Sequence, residues 1–545
     1  MQLASAAQMR ELDRQTIAEI GIPGMVLMEN AGRGTVDRME HAFGSVAGKT
    51  VCVFAGPGNN GGDGLVIART VHGLGGFPFV FFPGDPQRLT GDAGQNFAIY
   101  RQLRLPYQIL DSQEQFAALA DTVLALHRRH PIHSLVDALF GTGLEREISG
   151  GFLATIACLN TLRDRHRLPV VSVDIPSGLH SDTGAVLGDV VRADLTVTYG
   201  LAKPGHFHHG GAWVGRLARI DIGIPAHLAA RMDLPGMVLD RSFPARHLRP
   251  RPVAAHKGTS GHLLILAGSA GKTGAALLCG QGALRSGAGL VTFAVPGDLN
   301  PIFETAIAEA MSVPLAASSG LLSIDDFPRI EALCSGKDGL VLGPGIGTAP
   351  ATADLVLALY RAYSGPLVVD ADALTILAAH PDVLRNPPGP RVFTPHPGEM
   401  ARLLGASVEA VQADRLQAAR WLDGPGGHGP AGRPAMITVL KGAGTVIASA
   451  DGGWAINASG NPGMGAGGMG DVLAGIVGGL LVQGYDPWHA ACLGACLHGL
   501  AADRLAADRP CGYTATEVAG QLPYLFGALT PSSQQEKPCS QHKTS

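Results

Sequence analysis

Short apolar runs alternate with helix-period segments along most of the chain, and the alternation runs through twice. After two helices broken at Gly21-Ile22-Pro23-Gly24, the strand TVCVFAG enters the loop Pro57–Gly64 and the helix LVIARTVHGLG. FPFVFFPG (77–84), SLVDALFG (134–141), PVVSVDIPSG (169–178), DLTVTYG (194–200) and RLARIDIGIP (216–225) read as further strands, with helical patterns between most of them. From residue 262 the pattern restarts with HLLILAGS, the helix AALLCGQGALRSG, GLVTFAVP and a helix near 301–311. GLVLGPGIG, PLVVDADAL, VFTPHPGEM, AMITVLKGAGTVIAS and a hairpin at GGWAINASG follow. Strands apolar on both sides need cover on both faces, and strands separated by helices pair in parallel. The pattern predicts an α/β protein of two doubly wound domains. Between them proline and arginine rise and periodicity fades, which marks a linker or a short edge segment. The expected division is 1–228, a linker at 229–244, a second domain at 245–528, and a polar tail at 529–545 that reads as disordered.

The stretch Asn461–Asp471, NPGMGAGGMGD, leads into the apolar run VLAGIVGGLLVQG. A glycine-rich loop at a helix N-terminus brings several N–H groups to one anion. Asp471 then stands where phosphate would be repelled, unless its task is to take a proton from the group being phosphorylated. On pattern alone, a glycine-rich turn before a buried helix explains the stretch equally well.

Composition narrows the class. Glycine makes up 75 of 545 residues, about twice the usual share, and the excess sits in short runs that suit ligand-cradling loops. A net charge of −4 and a pI near 6.6 give no footprint for nucleic acid. The eight cysteines have no zinc-like spacing and read as small buried hydrophobes. The N-terminus is no signal peptide, and the apolar run near 472–483 is broken by glycine, so no membrane span is expected. A cytoplasmic location follows as the expectation.

In a doubly wound sheet, ligands lie at the carboxyl ends of the strands, and the polar motifs fall there. Asn59, Asn60 and Asp63 follow the first strand. Asp137 and the loop Gly141-Thr142-Gly143-Leu144 close another, and Asp174 and Ser177 a third. Gly56-x-Gly58-x-x-Gly61 formally matches a dinucleotide fingerprint, with Asp85 beyond it as the ribose acid. Two asparagines and an aspartate inside that loop are unusual for a dehydrogenase. GPGNNGGDGLVIAR, VDALFGTGL, SVDIPSGL and Lys203-Pro204-Gly205-His206 together resemble the NAD(P)H-hydrate epimerase family of the YjeF N-terminal type. That resemblance implies a Rossmann-like sheet and binding of the hydrated dinucleotide by Asn59, Asn60, Gly61, Gly62 and Asp63. The loop Gly141, Thr142, Gly143, Leu144, Glu145, Arg146 and Glu147 joins them, with Asp174. It also implies a potassium ion (K+) on Asn60, Asp137 and Ser177, an all-oxygen set of low charge that suits a monovalent ion. Asp174 is the candidate carboxylate for proton transfer or for orienting the carbinol; capping of the turn in DIPSG is its structural alternative.

In the second half, Gly343-Pro344-Gly345, Asp370, Asp372 and Thr394–Glu399 follow strands, and the stiff turn at His396 raises a functional reading for that residue. Lys441–Thr445 can line a nucleotide. LAGSAGKTGAALL, RSGAGLVT, GPGIG, VVDADAL, TPHPGEM and the glycine-rich loop resemble the ribokinase-like superfamily, and within it the ADP/ATP-dependent NAD(P)H-hydrate dehydratases. The resemblance implies contact of Ala275, Gly345, His396 and Asp471 with the hydrated dinucleotide. It gives Lys441, Gly442, Ala443, Gly444, Thr445 and Gly470 to the nucleotide. The departures are a Gly/Pro-rich insert at Gly424–Pro434 and the polar tail.

Fused in this order, the halves imply a bifunctional hydrate-repair enzyme. One half would interconvert the R and S epimers of NADHX and NADPHX. The other would phosphorylate the C6 hydroxyl of the S form from ADP or ATP, with Mg2+, so that it leaves as phosphate. The alternative is a ribokinase-like small-molecule kinase with an N-terminal nucleotide-binding regulatory module. The expected partners are small molecules, with no nucleic acid and no membrane, and a homo-oligomer is expected.

Overall fold

The computed structural model describes residues 1–422 and 434–530. The insert at Gly424–Pro434 lies outside these residues apart from Pro434, and the tail does so from residue 531. The last helix, Ala515–Leu529, ends on the first residue of the expected tail. The chain divides into two compact units, Gln2–Gly236 and the residues from Met237 onwards, the latter including Met1.

The first unit holds β1 (Thr50–Ala55), β2 (Phe77–Phe82), β3 (Tyr107–Ile109), β4 (Ile132–Ala138), β5 (Val170–Val173), β6 (Leu195–Tyr199) and β7 (Arg216–Ile220). All pairs are parallel, in the order β3-β2-β1-β4-β5-β6-β7. The chain winds outward from β1 to β3, then returns to β4 and winds the other way. The crevice where the winding reverses lies between β1 and β4, where such sheets bind ligands.

The second sheet contains β8 (Gly236–Leu239), β9 (His262–Leu266), β10 (Leu290–Pro296), β11 (Met311–Leu315), β12 (Gly339–Leu342), β13 (Leu367–Val369), β14 (Arg391–Phe393), β15 (Met436–Leu440), β16 (Val446–Ser449) and β17 (Trp454–Asn457). Its order is β11-β10-β9-β12-β13-β14-β15-β16-β17-β8, parallel as far as β15 and antiparallel through β16 and β17. The winding reverses between β9 and β12.

Three strands were not expected. β3 and β11 are short edge strands with polar or proline positions, and neither carries a continuous apolar run. β8 lies in the stretch read as a linker or edge segment, between the helices Ala226–Arg231 and Ser242–His247. The helix expected near 301–311 is Asn300–Ala306.

Apolar side chains fill both faces of each sheet. In the second unit, the helix Met469–Val482 is almost wholly buried against the helix Thr273–Arg285. Glycines on both partners make this possible. A Cβ on Gly475 would lie 1.9 Å from the Cys279 carbonyl oxygen, and one on Gly282 would lie 2.3 Å from that of Val472. The glycines in the apolar run are close-approach positions.

Candidate active sites

In the first unit, a cleft of about 550 Å³ opens over the carboxyl ends of β1, β4, β5 and β6. The helix Asn59–Gly73 begins at Asn59, so the two asparagines form its first turn. A Cβ on Gly56 would lie 1.8 Å from the Leu139 carbonyl oxygen, and one on Gly61 would lie 2.1 Å from that of Gly56. These glycines let the β1 and β4 loops close on each other. A Cβ on Gly141 would meet Asn60 Oδ1 at 3.2 Å, and Asn60 Nδ2 is buried with no partner among the described residues.

Asp137 lies beneath this contact, fully buried. One of its oxygens accepts from Ser172 Oγ at 2.8 Å and the Ser177 amide at 2.9 Å, the other from Ser177 Oγ at 2.6 Å. Burial raises its pKa against these donors. Ser177 Oγ is also 3.2 Å from the Phe140 carbonyl oxygen.

Asp174 sits in the left-handed region at φ +65°, which few non-glycine residues adopt and which is common at functional sites. Lys203 Nζ donates to its Oδ1 at 2.5 Å, and Thr198 Oγ1 at 3.0 Å. Burial opposes its charge, yet Lys203 holds its carboxyl below the usual range. His206 Nε2 donates to the Asp174 carbonyl at 2.9 Å, and burial together with Lys203 pushes this ring down to about 4, so it is neutral. Asp63 also lines the cleft; burial and the charges of Asp174 and Asp13 push its pKa well up. Asn59, Asn60, Asp63, Asp174 and Gly141–Arg146 all reach the cleft, whereas Gly61, Gly62 and Glu147 do not line it. Asp85 is exposed and accepts from the Gln87 amide, so it caps a short turn.

In the second unit, the ends of five neighbouring strands, β9 and β12 to β15, supply the candidate residues. Gly345 follows β12 at φ +63°, and a Cβ there would lie 3.0 Å from that of Ala275. Ser269 Oγ donates to the Gly345 carbonyl at 2.7 Å. Asp372 accepts from the Gly347 amide at 2.8 Å and pairs with Lys272 at 3.4 Å.

Lys441, after β15, lies 2.8 Å from Asp370 Oδ1 and 3.8 Å from Glu399 Oε2. Burial disfavours its charge, but these carboxylates, Asp370 first, raise its pKa. A Cβ on Gly470 would be 3.2 Å from Lys441 Nζ, so the lysine abuts the start of the helix carrying Asp471. Asp471 occupies the first turn of that helix, after Gly468 at φ +86°. Burial and repulsion from Asp370, opposed by Lys441, push Asp471 up to about 7. Asn461 acts as an anchor: Asp503 and Tyr513 hold its side chain at 2.9 and 2.5 Å.

His396 has a structural task that its stiff turn did not reveal. Its Nδ1 accepts from the Gly398 and Glu399 amides at 3.0 and 3.3 Å, capping the helix Pro397–Leu404. With Nδ1 so used, the ring presents Nε2, which lies 3.4 Å from Glu399 Oε1. Through Glu399 it joins Lys441. Gly442 and Ala443 are exposed beside the lysine, and Thr445 Oγ1 donates to the Gly442 carbonyl at 3.0 Å. Arg415 donates to the carbonyls of Leu440 and Lys441 at 3.1 and 3.3 Å and fixes this turn from below.

Two families match the chain: one described as YjeF-related protein N-terminus over residues 24–205, the other as NAD(P)H-hydrate dehydratase over 263–524. The bifunctional NAD(P)H-hydrate repair enzyme Nnr of Moorella thermoacetica is 42% identical over 537 residues, covering 97% of each chain. This chain belongs to the bifunctional NAD(P)H-hydrate repair enzyme family. The Escherichia coli member is 34% identical over 505 residues, covering 92% of this chain and 89% of its own. A solved ADP/ATP-dependent NAD(P)H-hydrate dehydratase from Bacillus subtilis, co-crystallised with ATP/Mg2+, is 28% identical with a TM-score of 0.45. It covers 54% of this chain and 98% of its own. The family matches make the first unit the epimerase half and the second unit the dehydratase half.

Several residues of these sites had no role assigned from sequence. Lys203, Asp370 and Glu399 lie within the sequence motifs, but nothing in those strings tells which carboxylate a lysine meets. Asp13 gave no signal, because it lies on an amphipathic helix whose charges read as a solvated face.

Proposed function

We propose that the epimerase cleft binds the hydrated nicotinamide ring of NADHX or NADPHX, and that the dehydratase half removes water from the S epimer at the expense of ADP or ATP. The observation that carries this reading is Asp471, a carboxylate with a pKa near 7 in the first turn of a helix opened by a glycine-rich loop, beside Lys441. Near neutrality such a group takes a proton from the C6 hydroxyl as phosphoryl transfer begins. The amides of Gly463–Ala466 bond within the loop, so those of Gly467–Gly470 are left to face the charge on the transferred group, and Lys441 offsets it. Phosphate then leaves, pushed out by the ring nitrogen lone pair. Ala275, Gly345 and His396 border the ring, and Lys441–Thr445 with Gly470 border the nucleotide.

Asp174, kept ionised by Lys203, orients the carbinol or accepts its proton, with Asn59, Asn60, Asp63 and Gly141–Arg146 around the dinucleotide. Asn60, Asp137 and Ser177 fit a potassium ion: the carboxylate is buried and met by hydroxyl and amide donors, and every candidate ligand atom is oxygen. The Ser177 hydroxyl would turn its hydrogen to the Phe140 carbonyl to free Asp137 for the ion. The ion would supply a fixed positive charge under the substrate loops. Among the described residues no group of three His, Cys, Asp or Glu is arranged for a metal, so Mg2+ would arrive on the nucleotide's phosphates. No helix of the described residues is long and apolar enough to cross a membrane, and we infer a cytoplasmic site of action, where reduced cofactors are used.

The test is to incubate the enzyme with hydrated NADH and, separately, ADP or ATP, following nicotinamide absorbance, free phosphate and epimer composition. Recovery of NADH with release of phosphate is expected. A stable phosphoester would instead favour a kinase.

A further inference from the structure

The epimerase cleft has a wall made by the N-terminal helix Ala6–Gln15, from which Met9, Arg10 and Asp13 reach it. Asp13 Oδ1 is buried and has no hydrogen-bond partner among the described residues. A carboxylate oxygen shut away from water normally has a donor. Asp13 faces the cleft in the company of Lys203, Asp174 and Asp63, with Arg10 on its own helix. Burial first, then the charge of Asp174, raises it to about 6, against the pull of Lys203. Asp174 is the opposite case: paired at 2.5 Å with Lys203, it stays ionised and cannot serve as a proton donor.

We propose that Asp13 is a second catalytic carboxylate of the epimerase, the acid that lets the C6 hydroxyl depart as water. The proposal rests on the reading of this cleft as the hydrate site. The ring nitrogen lone pair forms the C=N bond as the C6–O bond breaks. The proton of Asp13 goes to the departing oxygen, which leaves as water. A water then adds to the opposite face of C6, the C=N electrons return to nitrogen, and the new oxygen passes a proton to Asp174. An oxygen just bonded to a cationic carbon is strongly acidic, so a weak base suffices. One proton has moved from Asp13 to Asp174, and exchange with solvent resets both. The two carboxylates come from different elements, the first helix and the end of β5, and their environments push them toward opposite protonation states, the arrangement expected of an acid and a base.

The experiment uses the full chain with D13N and D13E. Pure R-NADHX is supplied without nucleotide, and the S epimer is followed by chromatography over the buffer blank. D13N is expected to lower kcat by roughly 10²- to 10⁴-fold with KM little changed, and to lose the ionisation near 6 from the pH–rate profile. D13E is expected to recover much of the rate. In isotopically labelled water each turnover should place one solvent oxygen on C6. Wild-type rate and pH profile in D13N, or a change in KM alone, would overturn the proposal. So would a product that keeps its original oxygen. If the wild-type chain itself fails to interconvert the epimers, the reading of the cleft fails, which is a separate result. Dehydration of S-NADHX with ADP checks that each variant remains folded and leaves the second activity unchanged.

Discussion

Gly475 and Cys279 face each other across two helices so closely that a Cβ on Gly475 would lie 1.9 Å from the Cys279 carbonyl oxygen. No rotamer change relieves a clash with backbone. Alanine at 475 gains about 1 kcal/mol of helix propensity, but overpacking of this kind costs about 1–3 kcal/mol and here it must move a helix. Gly475 lies one turn after Asp471 on the same helix face, so the displacement reaches the carboxylate. Gly475→Ala is expected to lower the melting temperature of the dehydratase half and to reduce dehydration on the order of 10²-fold, the scale for misplacement by about 1 Å. Epimerisation, measured in the same preparation, should be unchanged.

In the epimerase half, Lys203 is 1% exposed and fixes Asp174. Lys203→Met leaves the carboxylate without its cation in a site it shares with Asp63 and Asp13. Breaking a buried pair costs about 3–5 kcal/mol, and repulsion then favours protonation of Asp174. Loss of epimerisation by 10²-fold or more is expected, with dehydration of S-NADHX intact. The two rates assayed side by side check this, and equal loss of both would point to misfolding instead.

The same two sites indicate what the sequence reveals and where it stops. Apolar strand runs located β1, β4, β5, β9, β12 and β15, and turn residues located the loops after them, because strand ends in a doubly wound sheet are both punctuated and functional. Asp174 and Asp471 could therefore be named as candidates from their positions. Their state could not. That Lys203 meets Asp174 while Lys441 meets Asp370 and Glu399 depends on where the loops after the strands place each side chain, and chain order does not give that. β4 follows β3 in sequence but pairs with β1. The cap made by His396 and the glycine contacts of Gly61 and Gly475 likewise depend on packing at the scale of one methyl group. Asp13 was hidden for a simpler reason, since charges on a surface helix are the rule.

The buried cluster around Lys441 sets the electrostatics of the dehydratase. Asp370 is 1% exposed and Glu399 6% exposed, so Lys441→Met leaves two buried carboxylates without their cation. A loss of about 3–5 kcal/mol is expected on the unfolding transition of that half. Adding Asp370→Asn should recover part of it, because the stranded charge is the main penalty. Denaturant titration of the single and double variants checks the sign: a double variant less stable than Lys441→Met would contradict the pairing. Affinity for the nucleotide should fall in both.

Asp471 joins activity and stability through its ionisation. Its pKa, 3.8 without the fold, is about 7 within it, so the folded state holds the proton over the window between. Stability from this residue is therefore fully present below about pH 4 and is lost as pH rises through 7. The proposed mechanism needs the opposite state, since only the carboxylate accepts the hydroxyl proton. The rate of dehydration should rise with pH along a limb centred near 7. Asp471→Asn removes the charge while nearly keeping the shape. The variant should be inactive in dehydration at every pH, with epimerisation retained, and at pH 8 more stable than wild type by on the order of 2 kcal/mol, discounted for partial solvent access. That gain should shrink steadily as pH falls and vanish below about pH 3, under the unfolded value of 3.8, where the wild-type residue is protonated in both states. Melting curves across this range read the difference directly, and an Asn variant no more stable at pH 8 than at pH 4, relative to wild type, would remove the strain assigned to this carboxylate.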